Sequence, residues 1–265
     1  MATVKEIYAA LDQFAPFRLQ MDFDNAGFLV GRGGAEVTAV LVALDITLPV
    51  VEEAARLGCQ LIVAHHPVIF HPARTITDES NTGRILLALA EHRVAAICAH
   101  TNLDAVRSGV NCCLAQRLGL TEVGQLHADG VDDFGEPYGI GRVGLPHEEG
   151  LSCARYAEHV KRSLGAASVR FVDTGRPVGR VAVGGGSCGS MLADAVAAGC
   201  DTFVTSDVKY DQYLEAKALG ICLMDAGHYA TENVVCEPLA ARLKEWFPAL
   251  EITVSECHRE AYTHV

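Results

Sequence analysis

The chain lacks a basic excess. Its 21 Lys+Arg stand against 33 Asp+Glu, a formal net charge of -12. Such a chain exerts no general electrostatic pull on DNA, RNA or anionic membranes, and no Lys/Arg run marks a local basic patch. It also lacks any apolar stretch approaching the roughly 20 residues of a membrane span. The opening "MATVKEIYAALDQFAP" reads as an amphipathic helix, without the basic and apolar regions of a signal peptide. The expectation is a cytoplasmic protein with no membrane and no nucleic-acid partner. No C-x-x-C pair occurs, so the ten cysteines read as reduced, mostly buried small hydrophobes. Cys112 and Cys113 lie in an apparent helix, where neighbours diverge, and no metal or redox role is expected there. There is no G-x-x-x-x-G-K-[ST] loop either. The Gly-rich "VAVGGGSCGS" reads first as a tight, closely packed turn, and second as a phosphate contact on backbone amides.

What is present is enough apolar sequence for real cores: 50% hydrophobic and 20% charged residues over 265 positions. "VTAVLVALDIT", "QLIVA" and "VAAICAH" are near-continuous apolar strands. They alternate with the helices "LPVVEEAARLGC", "TGRILLALAEHR" and "SGVNCCLAQRLGL". That alternation indicates a buried, largely parallel sheet. Character changes after Leu120, and the pattern then resumes. The expected class is α/β: two α/β lobes with mixed, largely parallel sheets flanked by helices, and a metal site between the lobes. The boundary is drawn between residues 1–124 and 125–265. "ATENVVCEPLAARLKEWF" is expected to be one long helix, interrupted or kinked near Pro238.

Polar residues gather at strand ends. His65 and His66 follow "QLIVA", His100 and Asp104 follow "VAAIC", and Asp225 and His228 follow "ICLM". The carboxyl edge of an open α/β sheet is where ligands bind. His228 and Glu232 are spaced i and i+4, so one helix turn presents both to one place. Each residue alone has an ordinary explanation. Asp104, for one, could cap the helix that follows. Together, His65, His66, Asp104, His228 and Glu232 read as ligands for divalent transition metal such as Zn, Fe, Mn or Ni. Five ligands with two carboxylates suit two ions sharing a carboxylate and a bound water.

"HHPVIF", "HTNLDAV", "TSDVKY" and "GHYATE", in this order, resemble the Nif-three-like dinuclear-metal proteins, the GTP cyclohydrolase I type 2 homologs. "APFRLQMDFDNAGFLVG" resembles the family's opening, with Phe23 in place of a frequent Trp before Asp24-Asn25. The resemblance implies two divalent ions on the same five ligands, with Glu232 bridging them. It also implies a toroidal homohexamer. Asp207 and Lys209 match the pattern and are carried over as site-lining residues, whereas Asp211 stands where the family often has His.

The implied activity is a hydrolase in which metal-activated water opens the imidazole ring of GTP and formate leaves. Glu232, and His100 as a proton shuttle, are the catalytic candidates. A two-metal phosphoesterase would use the same constellation. A metal-binding regulatory or assembly protein without turnover is the reading from a different class.

Overall fold

The computed structural model describes residues 1–132 and 135–265. The chain separates into two compact units: Met1–Leu103 with Cys236–Arg259, and Asp104–Val235 with Glu260–Val265. The contacts therefore do not divide the chain at residue 124. The reason is pairing that local pattern does not carry. The strand Glu251–Val254 lies parallel to Ala39–Ala43, with Glu251 opposite Ala39 and Val254 opposite Val42. That ladder draws the last helix and strand back into the first unit. The helix Val110–Arg117 goes the other way. Its Leu114 and Ala115 pack with Tyr156, Val160, Val181 and Met224 of the second unit.

The first unit holds a five-stranded sheet in the order Glu251–Val254, Ala39–Ala43, Leu61–Ala64, Ala95–Cys98, Gly27–Val30. The first four strands run parallel, and Gly27–Val30 closes the edge antiparallel. Leu61, Ile62, Val63 and Ala64 are fully buried, which explains their unbroken apolar run. The helices Leu48–Arg56 and Asn81–Glu91 set Val50, Val51 and Ala54, and Ile85, Leu86 and Leu89, onto Leu41, Ile62 and Ala96.

The second unit holds a six-stranded sheet in the order Arg170–Phe171, Cys222–Asp225, Thr202–Thr205, Val181–Val183, Arg142–Leu145, Thr121–Gln125. Only its centre, from Val181–Val183 through Cys222–Asp225, is parallel. The outer strands add antiparallel, so this sheet is mixed. Phe203, Leu223 and Val143 form the core beside Leu192 and Ala195 of the neighbouring helix.

The expected long helix is three pieces: α-helix His228–Glu232, a 3-10 turn Asn233–Val235, and α-helix Cys236–Trp246. The interruption precedes Pro238. That proline lies in the first turn of the last piece, where its missing N–H leaves no intrahelical bond unmade. Among the described residues, no helix is long and apolar enough to cross a membrane.

Candidate metal centre

In the first unit, regular strand pairing ends at Ala64. The backbone then breaks the pleat. The successive amides of His65 and His66 both donate to the neighbouring strand's continuation, to Ala43 O at 3.3 Å and Leu44 O at 2.9 Å. A regular strand sends alternate N–H groups to opposite sides, and alternate side chains to opposite faces. Losing that alternation lets adjacent imidazoles share a side. Their ring centroids lie 5.0 Å apart. His100, two residues past the strand Ala95–Cys98, brings a third ring 5.1 Å from His65 and 5.6 Å from His66. Ligand atoms of these three histidines all lie within 4.8 Å of one another.

Each ring is held by its Nδ1. His65 Nδ1 lies 2.8 Å from Ala99 O, His66 Nδ1 2.7 Å from Asp45 Oδ1, and His100 Nδ1 2.8 Å from Asp24 Oδ1. With an Nδ1–H donating to an oxygen, the lone pair of the neutral ring sits on Nε2. That is the arrangement by which metal-binding histidines are oriented. Asp24 is itself anchored. Its carboxylate accepts from Thr101 N at 3.0 Å and Thr101 Oγ at 2.5 Å. Burial pushes the Asp24 carboxyl up, but the hydrogen bonds from His100 and Thr101 and the His100 charge outweigh it and hold the group at about 2.

In the second unit, the strand Cys222–Asp225 runs through Ala226 into Gly227, whose φ of 90° starts the one-turn helix His228–Glu232. His228 Nε2 lies 2.8 Å from Glu232 Oε2, as the i, i+4 spacing predicts. His228 Nδ1 lies 2.5 Å from Asp207 Oδ2. Asp207 follows the strand Thr202–Thr205 with a φ of 52°, a strained value for a residue with a Cβ. Its carboxylate thus faces the His228 ring. Glu232 is 3% exposed and Asp104 7% exposed. Burial pushes the Cys188 thiol up, and the Asp104 and Glu232 carboxylates push it the same way.

The Gly-rich turn proves to be a packing device. Gly184 N donates to Val204 O at 2.9 Å, Gly185 N to Asn111 Oδ1 at 2.9 Å, and Gly186 N to Thr231 Oγ at 3.1 Å. These amides are used within the protein, which removes the phosphate reading of the turn. Gly186 has a φ of 65°, and a Cβ there would stand 2.0 Å from Glu232 Oε1. Glycine is required for the carboxylate to occupy its place.

Asp104 does not cap the following helix. It lies inside the short helix Thr101–Ala105, and Gly109 is the cap of Val110–Arg117. Its backbone carbonyl accepts from Asn111 Nδ2 at 3.0 Å, and Asn111 also receives Gly185 N. Lys209 is exposed before the helix Tyr210–Leu219, with its backbone N–H on Gln212 Oε1 at 2.9 Å. Asp225 accepts from Arg170 at 2.6 Å and from Gly227 N at 3.1 Å, a structural role outside the ligand groups.

The donors fit a divalent ion chemically. The first unit offers three oriented imidazoles, and the second an imidazole beside a buried carboxylate in a glycine cradle; borderline N and O donors of these kinds suit Zn, Fe, Mn or Ni. Sequence reasoning missed Asp45, Thr231, Asn111 and the Gly186 cradle. Asp45 carried a usable signal, since it too stands just past an apolar strand, Ala39–Ala43.

The chain is similar to known proteins along nearly its whole length. The family model DUF34/NIF3, NGG1p interacting factor 3, matches residues 2–261. A Clostridium acetobutylicum protein named GTP cyclohydrolase 1 type 2 homolog is 32% identical, over 86% of this chain and 85% of its own. A Helicobacter pylori protein named GTP cyclohydrolase 1 type 2 is 33% identical, over 88% of each chain. The crystal structure of a Bacillus cereus protein related to NIF3 superposes with a TM-score of 0.94 at 26% identity, covering 100% of this chain and 99% of that one. The chain belongs to the DUF34/NIF3 family.

Proposed function

We propose that the protein is a cytoplasmic, divalent-metal-dependent hydrolase that opens the imidazole ring of GTP and releases formate. The observation that carries this reading is the set of three imidazoles, each fixed through Nδ1, at the carboxyl edge of the first sheet. The curated relatives' names supply the reaction class.

His65, His66, Asp104, His228 and Glu232 would hold two divalent ions. When bound, the ions supply a water of lowered pKa and polarise the group under attack. The protein's own residues do the rest. Asp45 and Ala99 O fix the first two rings, and Asp207 fixes His228. Gly186 and Thr231 keep the Glu232 turn in place. His100, oriented by Asp24, takes a proton at Nε2 and returns it to the departing nitrogen. One water adds to the imidazole carbon of guanine and the ring opens to a formamide by loss of one C–N bond; a second water cleaves the remaining C–N bond, and formate leaves. The working assembly in this reading is a ring-shaped homohexamer.

The test is metal content per chain together with formate release from GTP, in the wild type and in Glu232→Gln. Two ions per wild-type chain, and formate release lost in the variant, support the proposal. Fewer than one ion after careful reconstitution sinks it. Two ions without turnover of GTP or of generic phosphoesters would assign the chain to metal-binding assembly or regulation. Turnover of phosphoesters alone would make it a phosphoesterase.

A further inference from the structure

Two phenylalanines in the first unit stand in solvent beside the three imidazoles. Phe23 is 63% exposed and Phe70 40% exposed. Isolated exposed apolar residues are ordinary, but these two are a pair held in place. Their rings meet edge to face, with centroids 6.4 Å apart at 69°. Phe70 also lies 6.0 Å from the His100 ring at 85° and 4.9 Å from the His71 ring at 62°.

The segment that carries Phe23 is fastened on both sides. Asp24 N donates to Met21 O at 2.9 Å, and the Asp24 carboxylate accepts from His100 and Thr101. Asn25 Nδ2 donates to Ile69 O at 2.5 Å, next to Phe70. Ala26 N donates to Gln20 Oε1 at 2.8 Å. These anchors hold the loop with the Phe23 ring outward. The chain thus fixes an aromatic surface in water, one ring away from the imidazole group.

We propose that Phe23 and Phe70 form the wall on which the planar base of the substrate stacks. An edge-to-face pair presents one open π-face and one open edge, which favour a flat ring over an aliphatic chain. Base–aromatic stacking needs no hydrogen-bond code, so the wall selects for a ring and the imidazole side decides which bond meets the chemistry. The inference rests on the GTP-hydrolase reading for its substrate and adds to it the residues that hold the base.

The experiment is calorimetric titration of the full, metal-loaded chain with guanosine, GTP and inorganic triphosphate. The variants are Phe23→Ala, Phe70→Ala and Phe23→Trp. Both side chains are exposed, so the alanine variants are expected to fold, with unchanged metal content as the control. The wall predicts guanosine and GTP binding about 5- to 150-fold weaker in either alanine variant. It predicts unchanged triphosphate binding, and guanosine affinity kept in Phe23→Trp. Guanosine binding unaffected by both alanine changes, or triphosphate binding lost in step with guanosine, overturns it. Failure of the wild type to bind guanosine does the same. GTP binding weakened in both alanine variants, with no formate released from GTP by the wild type, would sink the hydrolase reading alone. Formate release with an unchanged KM for GTP in both alanine variants would sink the wall alone.

Discussion

Gly186→Ala separates the cost of backbone strain from the cost of a displaced ligand. At a φ of 65°, an added Cβ places an L residue in the left-handed region. That costs about 1–2 kcal/mol. For a chain of this size each kcal/mol corresponds to about 2–4 °C, so the metal-free protein should melt about 2–8 °C lower. The contact itself is a different matter. The Cβ would stand 2.0 Å from Glu232 Oε1 and 2.9 Å from Glu232 Cδ, against an ordinary contact near 3.4 Å. The end of a glutamate side chain is flexible, so it can swing aside at small energetic cost. It must retreat by more than 1 Å to do so. The retreat takes the carboxylate from its 2.8 Å approach to His228 Nε2. Disturbing the groups around a metal ligand typically lowers affinity about 10- to 100-fold, and a direct ligand should lie at or beyond the upper end. Melting temperature of the metal-free protein and competition against a chelator measure the two effects independently. A variant that melts lower but binds metal as the wild type does would refute the cradle.

Asp24→Asn should weaken the protein in a pH-dependent way. The folded carboxyl sits at about 2 against an ordinary 3.8, so its ionisation contributes about 2 kcal/mol of stability. That contribution is present above about pH 4 and lost as pH falls through about 2. The gap between wild type and variant in urea unfolding should therefore close across that window, and a gap constant from neutral pH down to about 2 would contradict the anchoring of His100 by a charged Asp24. Asp207→Asn keeps the size but removes the charge 2.5 Å from His228 Nδ1. Metal affinity should fall about 10- to 100-fold with little change in folding, and an unchanged affinity would place Asp207 outside the metal centre. Tyr156→Phe should be neutral or stabilising by up to about 1 kcal/mol. The Tyr156 hydroxyl is buried without a hydrogen-bond partner among the described residues, and leaving a polar group so costs about 1–3 kcal/mol. A clear loss of stability on removing the hydroxyl would show a partner that matters.

The ligand candidates were legible because parallel strands announce themselves. Leu61–Ala64, Ala95–Cys98 and Cys222–Asp225 are buried apolar runs, and the residues after each fall at the carboxyl edge of its own sheet, the first two in the first unit and the third in the second. The orienting shell was harder to read. Asp45, Asp24 and Asp207 lie 21, 76 and 21 positions from the histidines they hold, and no periodicity links such pairs. Gly186 was visible as glycine but not as a cradle, since its partner Glu232 comes 46 positions later, in another element. The unit boundary was hidden for a similar reason. Glu251–Val254 looks like any short strand until it pairs with Ala39–Ala43. The two adjacent histidines show the gap most clearly. Their types and place could be read, but neighbours in a strand should diverge. The consecutive amide bonds to Ala43 and Leu44, which bring the rings to one side, exist only in the folded chain.

Charge places a further demand on nucleotide recognition. A chain with a formal net charge of -12 offers no long-range attraction to a triphosphate. The glycine turn offers no local one either, because the amides of Gly184, Gly185 and Gly186 bond within the protein. The groups the proposal assigns to a nucleotide are the metal donors and the exposed rings of Phe23 and Phe70. Cations bound by those donors would attract phosphate of any kind and cannot tell a nucleotide from inorganic triphosphate. Discrimination then falls to the rings, which is why the comparison of guanosine with triphosphate bears directly on whether the site is built for a base or for a phosphate.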